Sequence, residues 1–193
     1  LELPQIERHT GIKKLQGQHM RFTVTASDQA CGASIEGLDL SQPLDSATIT
    51  ELRAVWLEHH VICFPEQHIN DDDLERFSQY FGEFAGDPYI APLKDRQNII
   101  QLRRTADEQT PIFADAWHTD WSFGKTPPAA TILYGITIPP HGGHTSFINQ
   151  HRALANMPTE LLSRIQGKVA LHSAQKAYAP DGAYGDQEKD SGR

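Results

Sequence analysis

The residues with the clearest chemical potential lie in the stretch WHTDWSF, which runs from Trp117 to Phe123. His118 offers an imidazole nitrogen and Asp120 a carboxylate, two positions apart. On a β-strand, residues i and i+2 point to the same face, so the two side chains would stand side by side, about 7 Å apart at their Cα atoms. A nitrogen and an oxygen ligand suit Fe(II), Zn(II) or Mn(II), with a third ligand from elsewhere in the protein. The spacing alone fits equally well a polar pair on the solvated face of an ordinary strand.

Several short apolar or β-branched segments that could position this pair are predicted to be strands. Alternation is clearest in RFTVTA, whereas HVICF is a short apolar run that ends at a proline, as expected of a buried strand. The glycines of CGASIEGLDL suggest a bend after the first strand. The strands are predicted at residues 21–26, 60–64, 98–102, 131–138 and 169–178.

Four helices are predicted between and after these strands. Apolar residues at helical spacing indicate a helix over 48–59 that begins near Ser46, and Asn70 followed by three aspartates indicates a second helix that stops at Gly82. Two shorter helices are predicted at residues 150–156 and 159–166. Because helices and strands do not alternate regularly and no glycine-rich phosphate loop is present, we expect a sandwich or barrel with flanking helices.

Composition limits the class of protein and its partners. The 193 residues include 38% hydrophobic residues, ordinary for a globular domain, and no apolar run is long enough to span a membrane. A formal net charge of −8 argues against nucleic acid as the main partner and favours a small molecule. The two cysteines provide no disulfide framework. We therefore expect a cytoplasmic protein without a membrane or nucleic-acid partner, and a homo-oligomer is left open.

Segments on both sides of WHTDWSF carry a resemblance to a known family. WHTDWSFGKTPPAATIL followed by GGHT resembles the iron-ligand region of the taurine dioxygenase (TauD/TfdA) family of Fe(II)- and 2-oxoglutarate-dependent dioxygenases. GASIEGLDLSQPL, HHVICFPEQ and ERFSQYFGEF also resemble that family in order and spacing. The resemblance extends from about Phe22 to Tyr178, and a match over several segments is far more specific than a three-residue motif.

The resemblance implies a role for each matching residue. His118 and Asp120 would be two iron ligands, and Thr145 in GGHT would hydrogen-bond 2-oxoglutarate. A lone threonine in such a turn could otherwise use its hydroxyl locally. Gly142 and Gly143 are explained by a tight turn alone.

The implied substrate positions are Asp87, Trp121 and Tyr178. Asp87 stands where the taurine-acting branch has a histidine that meets the sulfonate, and a carboxylate would repel a sulfonate or sulfate. We therefore predict a neutral or amine-bearing substrate. Alternatively, Asp87 only initiates the turn before Pro88.

For the whole molecule, the resemblance implies a mainly β protein with flanking helices, with a double-stranded β-helix (jelly-roll) core in a single catalytic domain over residues 1–193. The implied reaction hydroxylates a small organic molecule at an unactivated carbon, using Fe(II), 2-oxoglutarate and O2 and releasing succinate and CO2. Two alternatives are a zinc-dependent hydrolase or isomerase that uses the same His–Asp pair, and a non-catalytic binding protein if the chain ends at Arg193.

The resemblance also places the family's third ligand, a histidine, and its 2-oxoglutarate-binding arginine beyond residue 193. We therefore expect the domain to be incomplete at its C-terminal end, with residues 179–193 forming a flexible loop or tail. Among the histidines present, none is a convincing third ligand. For His172 we expect a hydrogen-bonded structural role.

Overall fold

The computed structural model describes residues 21–85, 91–109 and 116–174. Within these ranges the chain forms three short strands and four helices. In chain order the elements are β1 (Thr23–Ala26), β2 (Ala33–Glu36), α1 (Ser46–His59), β3 (Ile62–Cys63), α2 (Asp71–Gln79), α3 (Gln150–Ala155) and α4 (Thr159–Ile165).

The three strands form one mixed sheet in the order β1-β2-β3. β1 and β2 run antiparallel, with Val24 opposite Ile35, whereas β3 runs parallel to β2. A parallel pair needs a crossover connection, and α1 supplies it. Gly32 and Gly37 have positive φ angles and lie on either side of β2. The chain bends just before Gly32 and again at Gly37, which confirms the predicted bend, and the segment between the glycines is a strand.

Helix α1 confirms the predicted helix, although its N-cap is Asp45, one residue earlier than expected. The Asp45 carboxylate accepts a 2.9 Å hydrogen bond from the backbone N–H of Thr48, which has no partner within the helix. The apolar stripe of α1 then buries Leu52 and Val55. The helix ends at His60, whose φ of 66° breaks the helical path.

Helix α2 begins at the predicted cap. Asn70 accepts from the backbone N–H of Asp73, and the Asp73 carboxylate accepts from the backbone N–H of Asn70, which is a reciprocal capping box. The helix ends at Gln79, before the predicted stop at Gly82. Its buried face packs against the sheet and α1, and the resulting core contains Phe22, Ile35, Leu40, Leu52, Val55, Phe77 and Phe81.

Beyond this core the described chain is mostly irregular. Helices α3 and α4 confirm the two predicted short helices, but neither buries a residue. The strands predicted over 98–102 and 131–138 are not formed, and residues 169–174 contain no strand either. A strand needs a neighbouring strand to pair with, and the one sheet of the described residues contains only β1, β2 and β3. The predicted predominance of β structure is therefore not seen in the part of the chain that the structure describes.

Segment 131–138 nevertheless keeps its apolar character at the surface. Leu133, Ile136 and Ile138 are 64%, 77% and 68% exposed, respectively. Only Ile132 of this segment packs against the core. None of the described helices has both the length and the apolar character needed to cross a membrane.

Candidate metal site

Asp120 lies in a turn and His118 in the irregular segment directly before it, so neither residue is on a strand. The backbone N–H of Ser122 donates to Thr119 O at 3.3 Å, and that of Gly124 donates to Trp121 O at 2.8 Å. Between these contacts Trp121 has a φ of 45°, a left-handed conformation that bulky residues rarely adopt. The chain thus reverses directly after Asp120. The two side chains lie side by side, as they would on a strand, although the backbone here is not a strand.

The two predicted ligand atoms are close to each other. Nε2 of His118 lies 3.0 Å from Oδ1 of Asp120, with the side chains 51% and 40% exposed. Nδ1 of His118 lies 2.8 Å from Ala116 O, which can only accept a hydrogen bond. The proton of a neutral imidazole therefore belongs on Nδ1, and the lone pair of Nε2 is directed at Asp120. Such fixing of the tautomer is typical of histidines that bind metals.

This geometry fits a cation held between the two side chains. A nitrogen lone pair and a carboxylate oxygen 3.0 Å apart repel each other unless a proton or a metal ion lies between them. Two ligands each about 2.1 Å from a metal are about 3.0 Å apart at a right angle and about 3.4 Å apart at a tetrahedral angle. The observed separation is therefore compatible with two ligands of one metal ion. The same 3.0 Å also suits a direct hydrogen bond when the imidazole is protonated.

The second oxygen of Asp120 has its own partner. The hydroxyl of Thr131 donates to Oδ2 of Asp120 at 2.6 Å. Thr131 was not predicted as a site residue, because it lies eleven positions along the chain in a segment that the sequence marked only as strand-like. A hydroxyl directly after the PPAA stretch was the only sequence signal available.

Segment 131–134 is attached to the N-terminal core. The hydroxyl of Tyr134 donates to Gln67 O at 3.2 Å and accepts from the backbone N–H of Ile69 at 3.4 Å. The side chain of Gln67 is itself bonded to the backbone just after β2, accepting from Leu40 N at 2.9 Å and donating to Leu38 O at 3.1 Å. Thr131, which contacts Asp120, is therefore three positions from Tyr134, whose hydroxyl is bonded to the core.

A second contact reaches the turn from further along the chain. Nδ1 of His172 lies 2.8 Å from Oγ of Ser122, two residues after Asp120. This confirms the predicted hydrogen-bonded role of His172.

The structure brings fewer of the other predicted site residues to the His118–Asp120 pair. Trp121 is half-buried beside Asp120, whereas Thr145 is exposed, and within the described residues its hydroxyl makes no hydrogen bond to the His118–Asp120 pair. Gly142 and Gly143 have φ angles of 79° and 68°, which confirms the tight turn before Thr145. Asp87 and Tyr178 lie outside the described residues, as does the tail predicted over 179–193.

No third ligand joins the pair within the described ranges. Among residues 21–85, 91–109 and 116–174, no group of three or more His, Cys, Asp and Glu side chains is arranged to hold a metal ion. A metal bound by His118 and Asp120 would take its other ligands from outside these ranges, from water or from a cosubstrate.

Comparisons with known proteins show which sequences this chain is similar to. The family model described as "Taurine catabolism dioxygenase TauD, TfdA family" matches residues 23–192. Among curated proteins, an alkylsulfatase of Acinetobacter baylyi is 34% identical over 148 residues, which cover 76% of this chain and 45% of that protein. An alpha-ketoglutarate-dependent sulfate ester dioxygenase of Pseudomonas putida is 32% identical over 149 residues, 77% of this chain and 48% of that protein.

A solved structure shows the same relationship at the level of the fold. The crystal structure of a taurine dioxygenase from Burkholderia xenovorans has a TM-score of 0.63 at 30% identity, covering 76% of this chain and 51% of that one. The chain spans about half the length of the curated relatives it matches.

Proposed function

The chain belongs to the TauD/TfdA family of dioxygenases, and from that premise we propose that it acts as an Fe(II)- and 2-oxoglutarate-dependent dioxygenase. The proposed reaction hydroxylates a small organic molecule at an unactivated carbon, consumes O2 and releases succinate and CO2. The observation that carries this proposal is the His118–Asp120 pair, with Nε2 and Oδ1 3.0 Å apart. A nitrogen and a carboxylate oxygen at that separation could both bind one metal ion, and this pair of ligand types suits Fe(II).

Under this proposal each residue of the metal site has a defined role. His118 and Asp120 would hold the iron, and Thr145 would hydrogen-bond 2-oxoglutarate. The bound iron supplies the redox chemistry with O2 that no amino-acid side chain can provide. The backbone carbonyl of Ala116 accepts a hydrogen bond from Nδ1–H of His118 and so leaves Nε2 free for the metal.

For the overall architecture we propose the jelly-roll core of the family, with these residues in a single catalytic domain. Support comes from segment 131–138, where Leu133, Ile136 and Ile138 are largely exposed. A patch of this kind is more typical of a surface that packs against further structure than of a solvated one.

The substrate proposal rests on charge. Two relatives are named for sulfur-containing esters, yet this chain carries Asp87 where the taurine-acting branch has the sulfonate-binding histidine. Two like unit charges about 4 Å apart repel each other by about 4 kcal/mol at an effective dielectric constant of about 20. We therefore propose a neutral or amine-bearing substrate, in a pocket to which Trp121 and Tyr178 contribute.

The reaction type is tested by loading the full-length protein anaerobically with Fe(II) and 2-oxoglutarate, adding O2 and measuring succinate. We expect His118→Ala and Asp120→Ala each to weaken Fe(II) binding by more than about 100-fold and to abolish succinate formation, because each removes a direct ligand. The matched control is His68→Ala, which removes an exposed imidazole elsewhere and should bind iron normally. Unchanged iron binding in both ligand variants would refute the site assignment. Turnover with zinc but without iron, O2 or 2-oxoglutarate would instead establish the hydrolase or isomerase alternative.

The substrate class is tested in the same assay with hexylamine, hexanol, hexyl sulfate and taurine as probes. We expect the amine or the alcohol to stimulate succinate release more than hexyl sulfate or taurine does, because those two probes carry a negatively charged sulfate or sulfonate group. Stronger stimulation by hexyl sulfate or taurine would overturn the substrate class while leaving the reaction type intact.

A further inference from the structure

The two oxygens of Asp120 have different surroundings. Oδ1 faces Nε2 of His118 at 3.0 Å, whereas Oδ2 accepts the hydroxyl of Thr131 at 2.6 Å. A hydroxyl-to-carboxylate bond of this length is in the range of strong, charge-assisted hydrogen bonds. Each oxygen therefore has one partner, and the partners lie on different segments of the chain.

This difference matters because a carboxylate can bind a metal through one oxygen or through both. A strong hydrogen bond to one oxygen draws its electron density away from the metal and fixes the rotation of the carboxylate. The other oxygen is then the better donor. For Asp120 that oxygen is Oδ1, the one beside the predicted histidine ligand.

We propose that Thr131 is a positioning residue that makes Asp120 a one-oxygen ligand, and this inference rests on the metal site of the proposed function. A carboxylate bound through one oxygen occupies one coordination position and leaves room for 2-oxoglutarate and O2. One bound through both oxygens would occupy two.

The surroundings of Thr131 are suited to such a role. Ile132 packs against the core, and the hydroxyl of Tyr134 is bonded to the backbone at Gln67 and Ile69. The backbone that carries Thr131 is therefore anchored to the core by the residues that follow it, and not by the turn that carries Asp120.

A pair of substitutions separates the hydroxyl of Thr131 from its methyl group. Thr131→Val keeps the shape and removes the donor, whereas Thr131→Ser keeps the donor and removes the methyl. The probe is Co(II) in the full-length protein, since it resists oxidation by air and its visible absorption reports the coordination number. The matched control is Thr137→Val, the same change at an exposed position of the same segment.

We expect Thr131→Val to weaken Co(II) binding by about 10- to 100-fold, the usual cost of losing a partner of a metal ligand, and to change the visible band. Thr131→Ser should stay within about twofold of the wild type, and Thr137→Val should match the wild type. Circular dichroism checks that every variant is folded.

The inference and the proposed function fail in different ways. A Thr131→Val protein whose Co(II) affinity is not weakened, or whose band is unchanged, would overturn the role of Thr131 alone. So would a Thr131→Ser protein that loses as much affinity as Thr131→Val, because the methyl group would then be responsible. A wild-type protein that binds no Co(II), or one whose affinity survives Asp120→Ala, would overturn the metal site and this inference with it.

Discussion

Removing one oxygen atom from Tyr134 should weaken both the fold and the metal site. In Tyr134→Phe the backbone N–H of Ile69 and the carbonyl of Gln67 lose hydrogen bonds of 3.4 and 3.2 Å. Both bonds are at the long end of the normal range, so we assign the pair about 1 kcal/mol of unfolding free energy. For a chain of this size that corresponds to a fall in melting temperature of about 2–4 °C.

The same change should reach the metal, because Tyr134 anchors the segment that contacts Asp120 through Thr131. If the whole of that energy were transmitted, Co(II) affinity would fall by about fivefold, which is the upper limit we expect. The assays are urea denaturation followed by circular dichroism and a Co(II) titration of the folded protein.

Tyr80→Phe provides a matched control. The hydroxyl of Tyr80 accepts a 3.1 Å hydrogen bond from the backbone N–H of Leu44, so its loss should cost similar stability. Tyr80 lies outside segment 131–134, and its variant should bind Co(II) as the wild type does. Equal metal affinities in Tyr134→Phe and the wild type would refute the anchoring argument, and equal losses in the two variants would show a general effect of instability.

Two further predictions concern the core that supports the site. The backbone N–H of Asn70 donates to the carboxylate of Asp73 and, with a smaller contribution from Arg76, holds the pKa of Asp73 below its ordinary value of 3.8. Folding therefore favours the ionised form, so this contribution to stability is present above pH 3.8 and is lost as the pH falls through the lower, folded-state pKa. Urea denaturation at a series of pH values should show that loss, and Asp73→Asn should make the acid dependence shallower; an identical dependence would contradict the assignment. Leu52→Ala removes a side chain that is only 1% exposed and should cost about 2–5 kcal/mol in the same assay, whereas Leu57→Ala on the same helix, at 65% exposure, should change stability by less than about 0.5 kcal/mol. Similar losses in the two leucine variants would contradict the placement of the core.

The elements that could be predicted from sequence are those that depend on nearby residues. Helix α2 is predicted by Asn70 and its aspartates, because a capping box acts within a single turn. Helix α1 follows from the spacing of Leu52 and Val55. For the same reason the cap of α1 was wrong by only one residue, since serine and aspartate favour the same position.

The strands over 98–102 and 131–138 could not be predicted reliably because a strand depends on a distant partner. Their apolar and β-branched residues fit a strand, yet none is formed in the described chain, where no neighbouring strand supplies hydrogen bonds. His118 and Asp120 lie close together without a strand, because they are only two positions apart and the chain turns at Asp120.

The partners of the site residues were equally hard to foresee. His118 and Asp120 belong to a recognisable motif, but Thr131 contacts Asp120 from eleven positions away, and His172 contacts Ser122 from fifty positions away. Only the path of the folded chain brings such pairs together. Ala116 contributes a backbone carbonyl, which any residue could supply, so no sequence pattern marks its role.

The two ligands consequently differ in how easily a mutation can disturb them. The hydrogen bond that orients His118 ends on the backbone of a residue two positions away, so no side-chain substitution at Ala116 removes its acceptor directly. The hydrogen bond that orients Asp120 depends on one hydroxyl, and the segment that bears it depends on Tyr134. Substitutions far from the motif should therefore act on the metal mainly through Asp120. Among substitutions outside the motif, those in segment 131–134 should be the ones that lower metal affinity while the protein stays folded.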